Sequence, residues 1–313
     1  LLSLFDLPVW SVFIMLGVRG IGSTFQQPAI QSIIPQLVPA DQLIKTNGWM
    51  QLMNAGSFLL GPVIGAALYA AFPMPVVLLS DVAGAILASL ALAVVRVPEL
   101  EKGQKTRENP IIEYKEGLQV FLRDKKLFFL VLGEALCMFF YGPLSSFYPL
   151  MTSDYFDLSA MYGSAVELSF AVGMILSSLL FSSILKVNRK VRVSYIGLFG
   201  MGITSALCGV VPADFTGWLI FALLCVGLGA SGNVHTIPLT AYIQETVEPA
   251  KMGRTFSVLT LISSVTMPLG LLLGSPIAEK VGVNVWFFVS GMAIVIMTAG
   301  VLSVYYLKYK KGE

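Results

Sequence analysis

Residues 17–29 read GVRGIGSTFQQPA, an arginine set among three glycines in the middle of a largely apolar run. In water an arginine would sit at a surface and interrupt such a run. The composition shows that the solvent is different. Hydrophobic residues make up 56% of the 313, charged residues 12%, and mean hydropathy is +0.80. Soluble domains carry about a quarter of their residues as charges, so most of this chain's surface must face lipid. Net charge is only +2, which gives no bulk attraction to nucleic acid. Cys137, Cys208 and Cys225 all lie within apolar runs. Their number is odd and their spacing fits no metal site, so they read as small core hydrophobes.

A membrane helix needs about 20 apolar residues. Nine runs meet that length: roughly 9–37, 48–71, 76–97, 127–151, 161–185, 193–211, 217–243, 253–278 and 283–307. None alternates as a barrel strand would. The expected fold is all-α, a polytopic helix bundle. The first run carries a polar tail. Of the 20 basic residues, Arg19 lies inside a span and Lys280 on one side of the bundle; all the others fall in loops or tails on the opposite side. That bias places the basic loops and the C-terminus in the cytoplasm.

An internal repeat links the two ends of the chain. RGIGSTFQQPA, LVPADQL and LLGPVIGAAL parallel VGLGASGNVHTIPL, TVEPAKM and MPLGLLLGSPI. Gly20 and Gly22 align with Gly227 and Gly229, Pro39-Ala40 with Pro249-Ala250, and Gly65 with Gly274. The first two spans therefore correspond to the seventh and eighth. Symmetry then implies three further helices ahead of the first span, without which transport competence is not expected. The expected organisation is 1–97 as a partial half of three helices, 98–126 as a cytoplasmic linker, and 127–313 as a six-helix half. In the linker, Ile111, Tyr114, Leu118, Phe121 and Leu122 recur at helical spacing among lysines and arginines. This predicts an amphipathic helix on the membrane surface.

Two parallel six-helix halves are the plan of the major facilitator superfamily. Residues 19–48, RGIGSTFQQPAIQSIIPQLVPADQLIKTNG, resemble the fourth helix and following loop of its macrolide-efflux and enterobactin-exporter branch. Residues 113–131, EYKEGLQVFLRDKKLFFLV, resemble that branch's approach to the seventh helix. The likeness runs along the chain as helices four to twelve of twelve. It implies that RGIG matches a fourth-helix motif whose arginine is linked to proton coupling in proton-driven exporters. SFLLGPVIGAAL, residues 57–68, is similar to the fifth-helix antiporter motif. Ser57 and Ala66 stand where glycines are common, while Gly61, Pro62 and Gly65 remain. SSILKVNRKVRV, residues 182–193, lacks the glycine and aspartate of the superfamily's gating loop.

The charged residues inside spans are the candidate site. Arg19 is about ten residues into its run, roughly 15 Å deep, near the midplane of a core about 30 Å thick. It is either a coupling or substrate-binding residue or a structural one bonded to carbonyls. Gly17, Gly20 and Gly22 beside it allow a neighbouring helix to come close. Glu134 and Glu167 lie deep in the fourth and fifth spans, Glu134 as a proton-linked acid or a neutral one bonded to a neighbouring helix; they are the acids to test as partners of Arg19, unless the partner comes from the expected front helices. Withdrawal from water favours the protonated form of such acids. Asp81 lies near the outer end of its span, where a helix N-terminus alone would favour it. His235 and Asn233, just past the middle of the seventh span, read as a titrating site or as interhelical hydrogen bonding. Pro62 between glycines, echoed by Pro268 and Gly270, suits a helix that bends or rocks between two packings.

No GxxxxGK[ST] loop, GxSxG elbow or Cys/His cluster occurs in the sequence, so ATP drive, hydrolase chemistry and metal binding are not expected. The expectation is a monomeric secondary transporter of a bacterial cytoplasmic membrane, not an enzyme and without a cofactor. Its partners would be lipid, protons and an amphipathic small molecule such as a drug or macrolide. Siderophore or metabolite export and a non-transporting remnant are the alternatives.

Overall fold

A computed structural model describes residues 10–95 and 110–309. Among the described residues there is helix and no strand. Ten α-helices follow in order: α1 (Trp10–Leu37), α2 (Leu43–Ala71), α3 (Met74–Val94), α4 (Pro110–Arg123), α5 (Lys125–Leu150), α6 (Ala160–Ser183), α7 (Lys190–Cys208), α8 (Phe215–Thr246), α9 (Pro249–Val281) and α10 (Val283–Tyr309). Parts of the expected linker (96–109) and both chain ends lie outside the described residues, including many of the basic residues counted above.

Eight of the described helices are long and apolar enough to cross a membrane. The expected ninth, α1, is a continuous helix of 28 residues. It carries Arg19, Gln26 and Gln27 and is not among the eight. α8 and α9, at 32 and 33 residues, are about 50 Å long at 1.5 Å per residue. They therefore project beyond a core about 30 Å thick.

Local chemistry fixes the helix ends. Asp124 caps α5, its Oδ1 accepting from the backbone N–H of Lys126 (2.8 Å) and Leu127 (3.2 Å). Asp214 caps α8 through Gly217 N–H at 2.7 Å. These bonds satisfy donors that a helix start leaves orphaned. Gly282 alone separates α9 from α10, with φ of 100°, a conformation that a Cβ would strain.

The core lies in α5–α10. α8 packs against α6 and α7, α10 against α7 and α5, and α9 against α5. α4 is amphipathic as expected. It lies on α9, burying Phe121 and Gly117, where a Cβ would meet the Arg254 carbonyl oxygen at 2.7 Å; Glu116 pairs with Arg254. The three cysteines are buried and free.

α1 and α2 join at the end that carries the basic loops, here called the basic end. α1 packs on α9, and α2 on α6 and α8. Every buried residue of α1–α3 falls between Pro28 and Ala55. An apolar plug seals this end: Ile34, Leu43, Ile44, Phe181, Ile237 and Ala241, with Val193 and Val234 against it. The opposite ends of α1 and α2 are exposed. Among the described residues, the buried contacts of α1 and α2 with the six-helix bundle gather at the basic end.

Candidate functional site

Arg19 Nη1 donates to Asp81 Oδ2 at 3.3 Å, joining α1 to α3. Arg19 lies nine residues from the start of α1 and Asp81 seven from the start of α3, similar depths of roughly 10–14 Å. Both side chains remain accessible, at 75% and 67%. They border an open groove of about 660 Å³ whose other walls are Val82, Ala85, Ile86, Ser89 and Leu90. The expected partners of Arg19 are thus corrected. Glu134 faces His235 instead. Glu167 is exposed on α6, and among the described residues no hydrogen bond or ion pair reaches it. Among the described residues nothing lies within 4 Å of a Cβ built at Gly17, Gly20 or Gly22. Ser23 and Thr24 hydroxyls instead donate back to the Gly20 carbonyl, at 2.9 and 2.8 Å, satisfying themselves within the helix.

A second polar cluster is buried. His235 Nε2 lies 2.5 Å from Glu134 Oε2, and Nδ1 lies 2.7 Å from Ser194 Oγ. The three residues come from α8, α5 and α7. His235 is 1% and Ser194 0% exposed. Gly197 permits this approach: a Cβ there would sit 2.3 Å from the His235 backbone nitrogen. Ser194 is too enclosed to act as a nucleophile, despite the order Ser–His–Glu. Asn233, two residues from His235, turns to α6 and donates through Nδ2 to the Met174 carbonyl (2.8 Å), with Ser177 and Ser178 hydroxyls at 3.1 and 2.9 Å. It binds two helices together with its amide largely satisfied.

The paired proline–glycine segments differ in their surroundings. α2 continues through Pro62 and α9 through Pro268 and Pro276. A Cβ at Gly270 would lie 1.9 Å from the Phe139 carbonyl oxygen, and one at Gly274 2.6 Å from the Trp286 ring. Among the described residues, nothing lies within 4 Å at Gly61 or Gly65. The close approach expected at both sites occurs at the second.

Sequence reading missed a third feature. At the basic end, Asn47 Nδ2 donates to Gln244 Oε1 at 2.6 Å, and Gln244 Nε2 donates to the Gln31 carbonyl and Oε1 at 3.0 and 3.1 Å. This amide clasp joins α2, α8 and α1 beside the apolar plug. Gly48 brings α2 onto the α6 backbone next to it, 2.8 Å from a Cβ to Ser182 N. The clasp itself carries no charge. Nearby, Lys190 pairs with Glu245. Lys251 hydrogen-bonds Glu248 at 2.7 Å, and that bond and its charge hold the Glu248 carboxyl below the usual carboxylate range.

Residues 1–271 match the family profile described as Major Facilitator Superfamily. The chain is 36% identical over 291 residues to macrolide efflux protein A of Streptococcus pyogenes, covering 93% of this chain and 71% of that protein. It is 35% identical over 267 residues to macrolide efflux protein A of Enterococcus faecalis, covering 85% and 82%. It is also similar to the staphyloferrin A transporter of Staphylococcus aureus, 26% identical over 309 residues, covering 93% and 72%. Among solved structures, a bacterial homologue of the iron transporter ferroportin in an outward-facing state superposes with a TM-score of 0.74 at 16% identity. It covers 97% of this chain and 76% of that one. The Escherichia coli fucose:proton symporter gives 0.66 at 11% identity, covering 88% and 72%. At these identities the structural likeness is one of fold.

Proposed function

We propose, given that the chain belongs to the major facilitator superfamily of secondary transporters, that it exports an amphipathic, macrolide-like compound in exchange for protons. The export direction and compound class are supported by relatives named for macrolide efflux at 35–36% identity. The compound crosses unaltered, so no cofactor or catalytic group is assigned. The transporter works as a monomer in a bacterial cytoplasmic membrane, with the basic loops and C-terminus inside, as the charge bias supports. The three-helix, linker and six-helix division at 1–97, 98–126 and 127–313 belongs to the same proposal.

The observation that carries the coupling is the Arg19–Asp81 pair. A cation this deep needs an anionic partner, water or a bound anion, and Asp81 is that partner. Proton uptake by Asp81 from the open side would remove the charge that holds Arg19. Arg19 would then be free, and the balance between the two access states would shift. Opening of the basic end would return the proton to the cytoplasm and restore the pair. The groove beside the pair combines apolar walls with one cation and one acid, which suits an amphipathic compound.

The test is proton release driven by the macrolide erythromycin in proteoliposomes of the protein complete with the helices expected ahead of the first span, with assembly checked by gel filtration. Arg19→Ala and Asp81→Asn are expected to abolish the release. Arg19→Lys should keep part of it, because lysine retains the charge but loses the planar fork. Normal assembly with wild-type exchange and pH dependence in both Arg19→Ala and Asp81→Asn would show the pair to be structural.

A further inference from the structure

We propose that an anionic phospholipid binds at the basic end, with its phosphate held by Lys45 and Lys186 and an acyl chain in the groove between α6 and α7. This goes beyond the exchange reading above and does not depend on it.

Two spaces adjoin there. The first is a polar cavity of about 800 Å³ between the start of α2 and the segment 184–190 that joins α6 to α7. Asp41 and Lys45 line it on the α2 side, and Lys186, Asn188 and Lys190 on the other, with Glu245 of α8. The second is an apolar groove of about 520 Å³, walled by Leu180, Leu185, Val187, Val193 and Val234. It runs between α6 and α7, both of which pack on α8. Phe181, Lys186 and Asn188 border both spaces, so a single ligand can occupy the two. Each has the size of a ligand site, roughly 300–1,000 Å³.

The charges call for an anion. Lys190 is already paired with Glu245, and its side chain is 12% exposed. Lys45, Lys186 and Arg189, the last on the groove, are exposed. Among the described residues no hydrogen bond or ion pair engages the side chains of these three. Asp41 is the acid left to oppose them. A lysine ammonium is a compact point charge with three donors, suited to phosphate oxygens.

The groove distinguishes a lipid from a soluble anion. Inorganic phosphate would fill the cavity and leave the groove to water, although its walls are apolar. Leu180, Ile184 and Leu185, around the end of α6, are 46%, 72% and 44% exposed. α6 is apolar enough to cross a membrane, so this corner of the molecule meets acyl chains. The basic loops lie at the level of the cytoplasmic headgroups, where anionic lipids give the surface its negative potential. Head and tail thus have separate, adjoining places, polar above and apolar below.

The position also gives the lipid a structural consequence. Lys45 comes from the first three helices and Lys186 from the six-helix bundle. Ile44 and Phe181, also on the cavity wall, belong to the apolar plug between those units. A phosphate held by both lysines ties the units together beside the plug.

The experiment titrates dioleoylphosphatidylglycerol onto the purified protein, complete with the helices expected ahead of the first span, in mild detergent. Bound lipid is counted by native mass spectrometry. Wild type is expected to hold one phosphatidylglycerol more tightly than dioleoylphosphatidylcholine. Lys45→Gln and Lys186→Gln should each weaken that binding about fivefold, the worth of one basic side chain at an anionic surface. Arg192→Gln removes an exposed cation of α7 that lines neither space, and should leave binding unchanged. All three positions are exposed, and gel filtration checks that the variants assemble. Glycerol 3-phosphate, a headgroup without chains, should not displace the lipid at equal concentration. If either Lys45→Gln or Lys186→Gln binds phosphatidylglycerol as wild type does, or Arg192→Gln weakens it as much, the site is overturned. Equal binding of phosphatidylcholine, or displacement by equimolar glycerol 3-phosphate, overturns the assignment to an anionic phospholipid.

Discussion

Gly270→Ala tests whether α9 and α5 touch as closely as the structure has them. A Cβ at this position would lie 1.9 Å from the Phe139 carbonyl oxygen, 2.9 Å from its carbon and 3.2 Å from Pro143 Cγ. The first two are backbone atoms and cannot swing aside. Ordinary contact begins near 3.4 Å, so the helices must separate by about 1.5 Å or shear past each other. Overpacking of this kind costs on the order of 1–3 kcal/mol. Alanine returns up to about 1 kcal/mol through its better helix propensity, leaving a net loss of roughly 1–2 kcal/mol. Gly253, on the same helix, has nothing within 4 Å of its Cβ among the described residues. Gly253→Ala is therefore the matched control and should be neutral or slightly stabilising. Gly61→Ala, the repeat-related position, should behave like the control. The assay is thermal unfolding of the three variants in one detergent, followed by tryptophan fluorescence. Gly270→Ala should melt clearly below wild type and the other two at or above it. If Gly270→Ala melts at or above Gly253→Ala, the close α5–α9 crossing is wrong, and with it the reading of Gly270 as a packing device.

The amide clasp predicts a second effect. Gln244→Ala removes one bond to Asn47 and two to Gln31, weakening closure of the basic end by on the order of 1–3 kcal/mol. A Val234→Cys reporter should then react faster with a thiol reagent in Gln244→Ala than in wild type, and equal rates would count against the clasp. Orientation is checked with Lys186→Cys and Ala213→Cys, both exposed, since the three native cysteines are buried. On intact cells an impermeant reagent should label Ala213→Cys and spare Lys186→Cys; the reverse pattern would invert the topology.

The spans were legible in the sequence because bilayer thickness dictates length and hydropathy. The basic bias gave the expected orientation, with the basic loops on one side. α4 was legible for a further reason: its two faces differ in composition. The same logic explains what was hidden. In a spanning helix the lipid-facing and partner-facing sides are both apolar, so periodicity does not reveal which way a side chain points. Arg19, Asp81, Glu134 and His235 could each be singled out as charges or titrating groups at the wrong depth for their type. Their pairing could not be read, because Arg19 and Asp81 are 62 residues apart and Glu134 and His235 101. The clasp was hidden more completely: Gln31, Asn47 and Gln244 are uncharged and lie near helix ends, where amides are unremarked. The sequence by itself determined the solvent, the approximate extent of the spans, and which residues were out of place in lipid. Only the tertiary structure decided which of those residues meet, since that depends on helix rotation and crossing. These are set at close contacts such as Gly197 of α7 against α8 and Gly270 of α9 against α5, where the absence of a side chain matters only once the partner backbone is in place.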